Sequence, residues 1–193
     1  MKKLGFAVTG SFCTFKSVLT EIEKLAEEFD ITPVLSYNAA NIDTRFFEAK
    51  VFKSEIERIT GKKIIETIAA AEPIGPRKLI DALVVAPCTG NTAAKLANGI
   101  TDTPVTLAAK AHLRNNRPLI IAISTNDGLS GNAKNIGALM NMKNVYFTPF
   151  GQDDCFNKAN SLVADFSKIK ETVEAAFEGK QLQPVLCRGM RKE

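Results

Sequence analysis

The stretch Leu83–Pro104 limits what this chain can fold into more than any other. Leu83-Val84-Val85-Ala86 is an apolar run of strand length, broken by Pro87-Cys88-Thr89-Gly90-Asn91. A short helix is expected from about Thr92 to Asn98, closed by Gly99 and followed by a second small-residue turn, Thr101-Asp102-Thr103. Almost every residue from Pro87 to Thr92 is small or hydrogen-bonding. A buried strand that empties into such a turn aims it at the carboxyl edge of a sheet, where open parallel sheets hold their ligands.

The same pattern recurs along the chain. Gly5–Thr9 reads as a first buried strand and empties into Gly10-Ser11-Phe12-Cys13-Thr14. Val18, Leu19, Ile22, Leu25, Ala26 and Phe29 then mark one face of an amphipathic helix, with Thr14 as its expected cap. Strand, Gly/Ser turn and helix together make a phosphate-binding unit, because the first N–H groups of the helix are unpaired. GxGxxG and GK[ST] are both missing, which speaks against a dinucleotide fingerprint and a Walker loop. Ile31–Leu35 is a second strand; Ser36 at its end either caps the next helix or touches a ligand. Leu119–Ile123, the most apolar strand, delivers Ser124-Thr125-Asn126-Asp127-Gly128.

Other elements follow from capping and spacing. Ser54 and Glu57 have capping-box spacing, so a helix is expected from Ser54 to Gly61, followed by a strand or extended lead over 63–68. Further helices are expected over 76–81, 105–113 and 130–140, with Val145–Phe147 as the last strand and 148–154 as loop. Leu162, Phe166, Ile169, Val173 and Phe177 step by 4, 3, 4 and 4, a helical stripe that Gly179 stops. The alternation gives an α/β class, a three-layer doubly wound parallel sheet with a Rossmann-like arrangement, in a single domain over 1–193 with a basic tail from about 184.

Four strands thus end in polar turns, at Gly10-Ser11, Ser36, Pro87–Thr92 and Ser124–Gly128, and one pocket would gather all four. Hydroxyls, an amide and helix N-termini suit a phosphate and a heteroaromatic ring. No nucleophile–base relay is present in these turns, because the sole histidine, His112, sits in a helix as a core or surface residue. A borrowed cofactor fits better than side-chain chemistry. The net charge of +4 is modest, and Arg188, Arg191 and Lys192 lack the aromatic interleaving of a nucleic-acid site. No run approaches the roughly 18 apolar residues that span a membrane. The four cysteines, Cys13, Cys88, Cys155 and Cys187, show neither CxxC nor metal spacing, so a cytoplasmic protein with reduced thiols and no metal is expected.

The residues Ala86–Thr92 with Lys95–Asp102 resemble the signature of the flavin mononucleotide (FMN) flavoproteins that include phosphopantothenoylcysteine decarboxylase and the flavin prenyltransferases. Thr9-Gly10-Ser11 and Ser36 also match, and Arg114–Leu119 is similar to a stretch entering the next strand in the prenyltransferases. The motifs AEPIGP (71–76), PCTGNTAAKLANGITDTPVT (87–106), AAKAHLRN (108–115), STNDGL (124–129) and PFGQDD (149–154) resemble the family of dipicolinate synthase B subunits of spore-forming bacteria. That resemblance implies an oxidoreductase subunit, active in the mother cell during sporulation. It implies FMN held by Thr9, Gly10, Ser11, Phe12, Ser36, Pro87, Cys88, Thr89, Gly90, Asn91, Thr92, Asp102, Ser124, Thr125 and Asn126. It also implies an A subunit that supplies NAD(P), a small dicarboxylate substrate and a homo-oligomer. A dihydrodipicolinate-level precursor would be oxidised to pyridine-2,6-dicarboxylate. Arg77, Lys110, Arg114 and Arg117 are the candidates to clamp carboxylates; the catalytic residues stay unassigned. A non-catalytic supporting subunit is the alternative. The decarboxylases' histidine after the second strand is absent from 41–47, and Asn91-Thr92 stand where prenyltransferases carry Lys-Thr, which disfavours both of those activities.

Overall fold

The computed structural model describes residues 1–187; Arg188, Arg191 and Lys192 of the expected tail lie outside the described residues. Residues 184–187 lie beside the sheet, with the Phe150 amide donating to the Val185 carbonyl and the Cys187 amide to the Phe150 carbonyl.

Apolar strands buried on both faces form the middle layer, as parallel strands covered by helices must. They are β1 (Lys2–Val8), β2 (Phe29–Leu35), β3 (Ala82–Cys88) and β4 (Leu119–Thr125). Every residue of β3 and all but the last of β4 are buried. Three-residue strands β5 (Val145–Phe147), β6 (Phe150–Gln152) and β7 (Leu162–Ala164) complete a seven-stranded mixed sheet of order β2-β1-β3-β4-β7-β6, with β5 also on β4. The first half of β4 pairs in parallel with β5 through Leu119–Ile121. Its end pairs antiparallel with β7 through Ser124 and Thr125. The expected α/β flavoprotein-type sheet is therefore present, with five parallel strands and one antiparallel extension. Val145–Phe147 is not the last strand, and β6 lies within the expected loop. Three-residue strands carry too little alternation to be read from sequence.

Helices α1 (Phe15–Ala26), α2 (Tyr37–Asn41), α3 (Ala49–Thr60), α4 (Ile68–Ala71), α5 (Gly90–Ala97), α6 (Pro104–Leu113), α7 (Ala133–Met140) and α8 (Ile169–Phe177) flank the sheet. Several boundaries differ from expectation for identifiable reasons. The third helix begins at Ala49, not Ser54, because the Asp43 carboxylate accepts from the Ala49 amide at 2.8 Å. Ser54 instead donates to the Lys50 carbonyl, and Glu57 is bound to Lys63 and the Ile64 amide. This extra length seats Phe52, whose ring stacks on Phe15 with centroids 4.1 Å apart. Residues 63–67 are an extended lead bridging Ile65 to Val34, Ile68 already opens α4, and no helix forms over 76–81. The helical stripe from Leu162 misleads at its start, since Leu162–Ala164 is strand and Asp165 accepts from the Ser167 amide to open the turn into α8. Gly179 stops that helix at a positive φ of 73°. Thr14 does not cap α1; its hydroxyl donates to the Ser11 carbonyl, and a 3-10 turn over Phe12–Thr14 precedes the helix. Among the described residues no helix is long and apolar enough to cross a membrane.

Candidate functional site

The carboxyl ends of β1, β3 and β4 converge as parallel register requires, and a cleft of about 1170 Å³ opens above them. Gly10–Thr14 and the α1 residues Ser17, Thr20 and Glu21 form one wall. Thr89-Gly90-Asn91 and Ser124–Asp127 line it from the ends of β3 and β4. Arg45, Phe46, Asp153, Lys158, Ser161 and the segment 163–167 complete the lining.

Short polar contacts lock these turns together. The buried Thr9 hydroxyl donates to the Pro87 carbonyl at 2.7 Å and accepts from the Thr89 amide at 3.0 Å, fastening the end of β1 to that of β3. The register of β3 on β4 shifts between Val85 and Cys88, which redirects the chain into Thr89. Thr89 then caps α5, accepting from the Thr92 amide. Ser11 and Ser124 hydroxyls lie 2.8 Å apart, joining the first turn to the fourth. Asp127 accepts from Thr125 at 2.5 Å and from Asn132 at 2.7 Å, and Asn135 donates on to Asn132 at 2.8 Å. Gly90 sits against this cluster: a Cβ there would lie 2.5 Å from both the Asn132 amide nitrogen and the Thr125 hydroxyl. The glycine is required by that close approach of helix to turn.

Of the residues singled out from sequence, Gly10, Ser11, Phe12, Thr89, Gly90, Asn91, Ser124, Thr125 and Asn126 line the cleft. Thr9, Ser36, Pro87, Cys88, Thr92 and Asp102 do not. Thr9 is the bolt described above, and Ser36 caps α2 by accepting from the Ala39 amide. Cys88 is fully buried, and burial alone pushes its thiol up to about 12, so no thiolate forms there at neutral pH. Thr92 accepts from the Thr89 hydroxyl at 3.0 Å. Asp102 forms an ion pair with Lys95, whose hydrogen bond holds its carboxyl below the usual range.

None of the four expected carboxylate clamps lines this cleft. Arg117 donates to the Lys78 and Ile80 carbonyls and faces Asp81 at 3.4 Å, on the amino side of the sheet. Arg114 is the residue capping the C-terminus of α6, and Arg77 is an exposed turn residue. Lys110 lines a second, apolar cavity of about 210 Å³ with Leu113, Leu139 and Met142. His112 is buried, with its Nε2 3.0 Å from the Pro118 carbonyl; burial chiefly lowers its pKa to about 4. Sequence reasoning missed Arg45, Phe46, Lys158, Ser161 and residues 163–167. Only the PFGQDD motif, which holds Asp153, gave a signal; the rest sit on connections whose course depends on tertiary packing.

Chemically the cleft offers hydroxyls, amides, the carboxylates of Glu21, Asp127, Asp153 and Asp165, the cations Arg45 and Lys158 and the Cys13 thiol, and among the described residues no histidine lines it. Among the described residues no group of three His, Cys, Asp or Glu is placed to hold a metal ion, and all four cysteines are free.

Residues 1–177 match the protein family described as Flavoprotein. The chain is 47% identical over 186 residues to the dipicolinate synthase B subunit of Bacillus subtilis, covering 96% of this chain and 93% of that one. The chain belongs to the flavoprotein family, on the branch of the dipicolinate synthase B subunits. The crystal structure of the dipicolinate synthase B subunit from Bacillus halodurans superposes with a TM-score of 0.90 at 45% identity, covering 98% of this chain and 97% of that one. The FMN-dependent cysteine decarboxylase SpaF shares the fold alone, with a TM-score of 0.68 at 20% identity over 93% of this chain and 97% of that one. The flavoprotein fold therefore has its cleft where the polar turns meet, and the likeness to the B subunits extends over nearly the whole chain.

Proposed function

We propose that this chain is the B subunit of a dipicolinate synthase, a single flavoprotein-like domain that binds FMN in the carboxyl-edge cleft and takes part in aromatising a dihydrodipicolinate-level precursor. The observation that carries the reading is the composition of that cleft: three strand-end turns meet in one space, supplying hydroxyls and amides without a side-chain relay. FMN, when bound, supplies a two-electron acceptor. Its phosphate suits the wall of Ser11, Thr14 and Ser17 beside the first helix, and its ring suits the Thr89–Asn91 turn. The missing Cβ of Gly90 lets that turn seat against Thr125 and Asp127, so the rim is stiff before any ligand arrives.

In the reaction the precursor loses two electrons and two protons as its ring becomes aromatic, and aromatisation supplies much of the driving force. The chain's task is then to hold the substrate in register, limit water and pass the released proton to a cleft carboxylate or to solvent rather than to an imidazole. An NAD(P)-binding A subunit completes the enzyme, which works in the cytoplasm of the sporulating mother cell, with this chain present as a homo-oligomer. A second reading, a non-catalytic flavoprotein-fold subunit that supports the A subunit, is favoured by one feature: among the described residues no histidine lines the cleft. The likenesses to the B subunits and to an FMN-dependent protein support flavin binding in either case.

The purified chain is expected to give a flavin absorbance spectrum on titration with FMN, and bleaching of that spectrum by the dihydro precursor identifies the catalytic reading. FMN binding without bleaching, even with the A subunit present, selects the supporting one. No perturbation of the flavin spectrum at any concentration would remove the flavin from both.

A further inference from the structure

We propose that Asp127 is the proton acceptor of the cleft, taking the ring proton that the precursor loses as it becomes aromatic. This inference rests on the aromatisation reading above and names the residue that serves it. Among the described residues four carboxylates line the cleft, those of Glu21, Asp127, Asp153 and Asp165. Glu21 pairs with Lys24 at 2.8 Å and Asp153 with Lys158 at 3.1 Å. Asp165 accepts from the Ser167 amide at 3.1 Å and hydroxyl at 2.6 Å, where the chain turns into α8. Asp127 stands on the turn after β4, and its Oδ1 would lie 2.7 Å from a Cβ on Gly90. Its carboxylate therefore abuts the Thr89–Asn91 turn, the turn that the proposed reading sets against the flavin ring.

The groups that hold Asp127 are neutral. Its Oδ1 accepts from the Thr125 hydroxyl at 2.5 Å and its Oδ2 from the Asn132 amide at 2.7 Å, and Asn132 in turn accepts from Asn135 at 2.8 Å. Asn132 and Asn135 are each 8% exposed, so buried amides fix the carboxylate from behind. Neutral donors orient a carboxylate without setting a cation on it, and among the described residues Asp127 makes no ion pair. A carboxylate has about four lone-pair sites, so about two remain after these hydrogen bonds. Asp127 is half-buried and lines the cleft, which leaves a side from which a ligand can reach them. As the ring aromatises, one ring C–H bond breaks with its electron pair leaving as hydride to the two-electron acceptor, a flavin or a nicotinamide. A neighbouring ring C–H bond breaks with its pair kept as the new double bond, and its proton passes to an Asp127 oxygen and then to solvent.

The test measures deuterium uptake by the dihydro precursor in heavy water, using the full-length, FMN-loaded chain with its flavin kept reduced so that aromatisation cannot proceed. Proton removal is then reversible, and the precursor gains mass, read by mass spectrometry against the protein-free rate. The wild-type chain should accelerate this uptake. Asp127→Asn should lower the acceleration by about 100- to 10,000-fold, the usual contribution of a positioned base. Affinity for FMN and for pyridine-2,6-dicarboxylate, measured by calorimetry, should stay near wild-type. Formate should restore part of the uptake to Asp127→Ala by standing in for the missing carboxylate, a response that a purely structural role does not give. An Asp127→Asn chain that exchanges as fast as the wild-type chain overturns the proposal. So does a loss that tracks melting temperature and FMN affinity and that formate does not restore in Asp127→Ala. A wild-type chain that turns the precursor over with the A subunit, yet gives no uptake, overturns the base alone. A wild-type chain that does neither removes the aromatisation reading and the base together.

Discussion

The two edges of the parallel sheet are built from similar polar residues and put them to opposite use. At the amino edge, Arg117 donates to the Lys78 and Ile80 carbonyls, Asp81 accepts from the Lys3 amide at 2.9 Å, and Asn115 donates to the Gly75 carbonyl at 2.9 Å. The side chains there end on backbone groups, so the edge is sealed. At the carboxyl edge, the turns bind one another side chain to side chain, Ser11 to Ser124 and Thr125 to Asp127, and leave a cleft between them. Strand direction accounts for the difference. Chain arriving from a helix must be sealed where it enters the sheet, whereas chain leaving a strand can turn away and leave space.

His112 tests the sealed edge with the largest expected effect. Burial lowers its pKa most, the nearby Arg117 charge adds to that, and the Pro118 carbonyl and Asp81 oppose it. The folded value of about 4 lies below the ordinary 6.5, so the folded chain holds the neutral ring where the unfolded chain would take up a proton. Stability should therefore be full above pH 6.5 and fall as pH drops towards about 4, by up to about 3 kcal/mol. Denaturant unfolding at a series of pH values measures this slope. His112→Gln should flatten it without altering the FMN titration, and an unchanged slope would place the proton uptake elsewhere.

The open edge is tested by its glycines. Gly90→Ala forces a Cβ to within 2.5 Å of Thr125 and Asn132, atoms held by Asp127 and unable to give way. A cost of about 1–3 kcal/mol is expected, as for other overpacked sites, together with a clear loss of FMN affinity. Gly10→Ala meets Asn38 Cβ only at 3.4 Å and should leave stability near the wild-type value. Equal melting temperatures for the two variants would mean that the turns are looser than the contacts at Gly90 require.

The same contrast explains what is legible in the sequence. The strands of the parallel core are legible because burial on both faces leaves near-continuous apolar runs, as in Leu83–Ala86 and Leu119–Ile123. Their polar turns are legible because a strand's end fixes where its next residues lie, and nine of the residues singled out there as cofactor contacts line the cleft. Arg45 and Lys158 are not. Each stands on a connection whose path is set by distant contacts, one by Asp43 beneath α3 and the other by Asp154, which accepts from the Phe156 and Asn157 amides. The arginines that the sequence offers as clamps lie near strand starts, and parallel pairing sends those to the opposite edge. Ser54 misleads in a similar way: its spacing to Glu57 satisfies a capping box locally, while Phe52, needed by the aromatic cluster with Phe15 and Phe47, extends the helix past it.

The smallest expected effect lies within the motif that most constrains the fold. From Thr89 to Asn91 it opens on the cleft, whereas by Lys95 and Asp102 it has turned to the surface, where those two pair at 2.8 Å. An exposed pair of this kind is screened by solvent and salt. Asp102→Asn should therefore leave both the melting temperature and the FMN titration at wild-type values, although its place in the motif groups it with the cofactor residues. The carboxyl of Asp102 is held below its usual range by Lys95, so the pair stays ionised as pH falls through the carboxylate range and breaks only at its acid end. A weakened FMN titration in this variant, with melting unchanged, would carry its own lesson. The distance between Asp102 and the cleft would then have to be bridged by another copy of the chain, and the open edge would belong to an assembly rather than to one sheet.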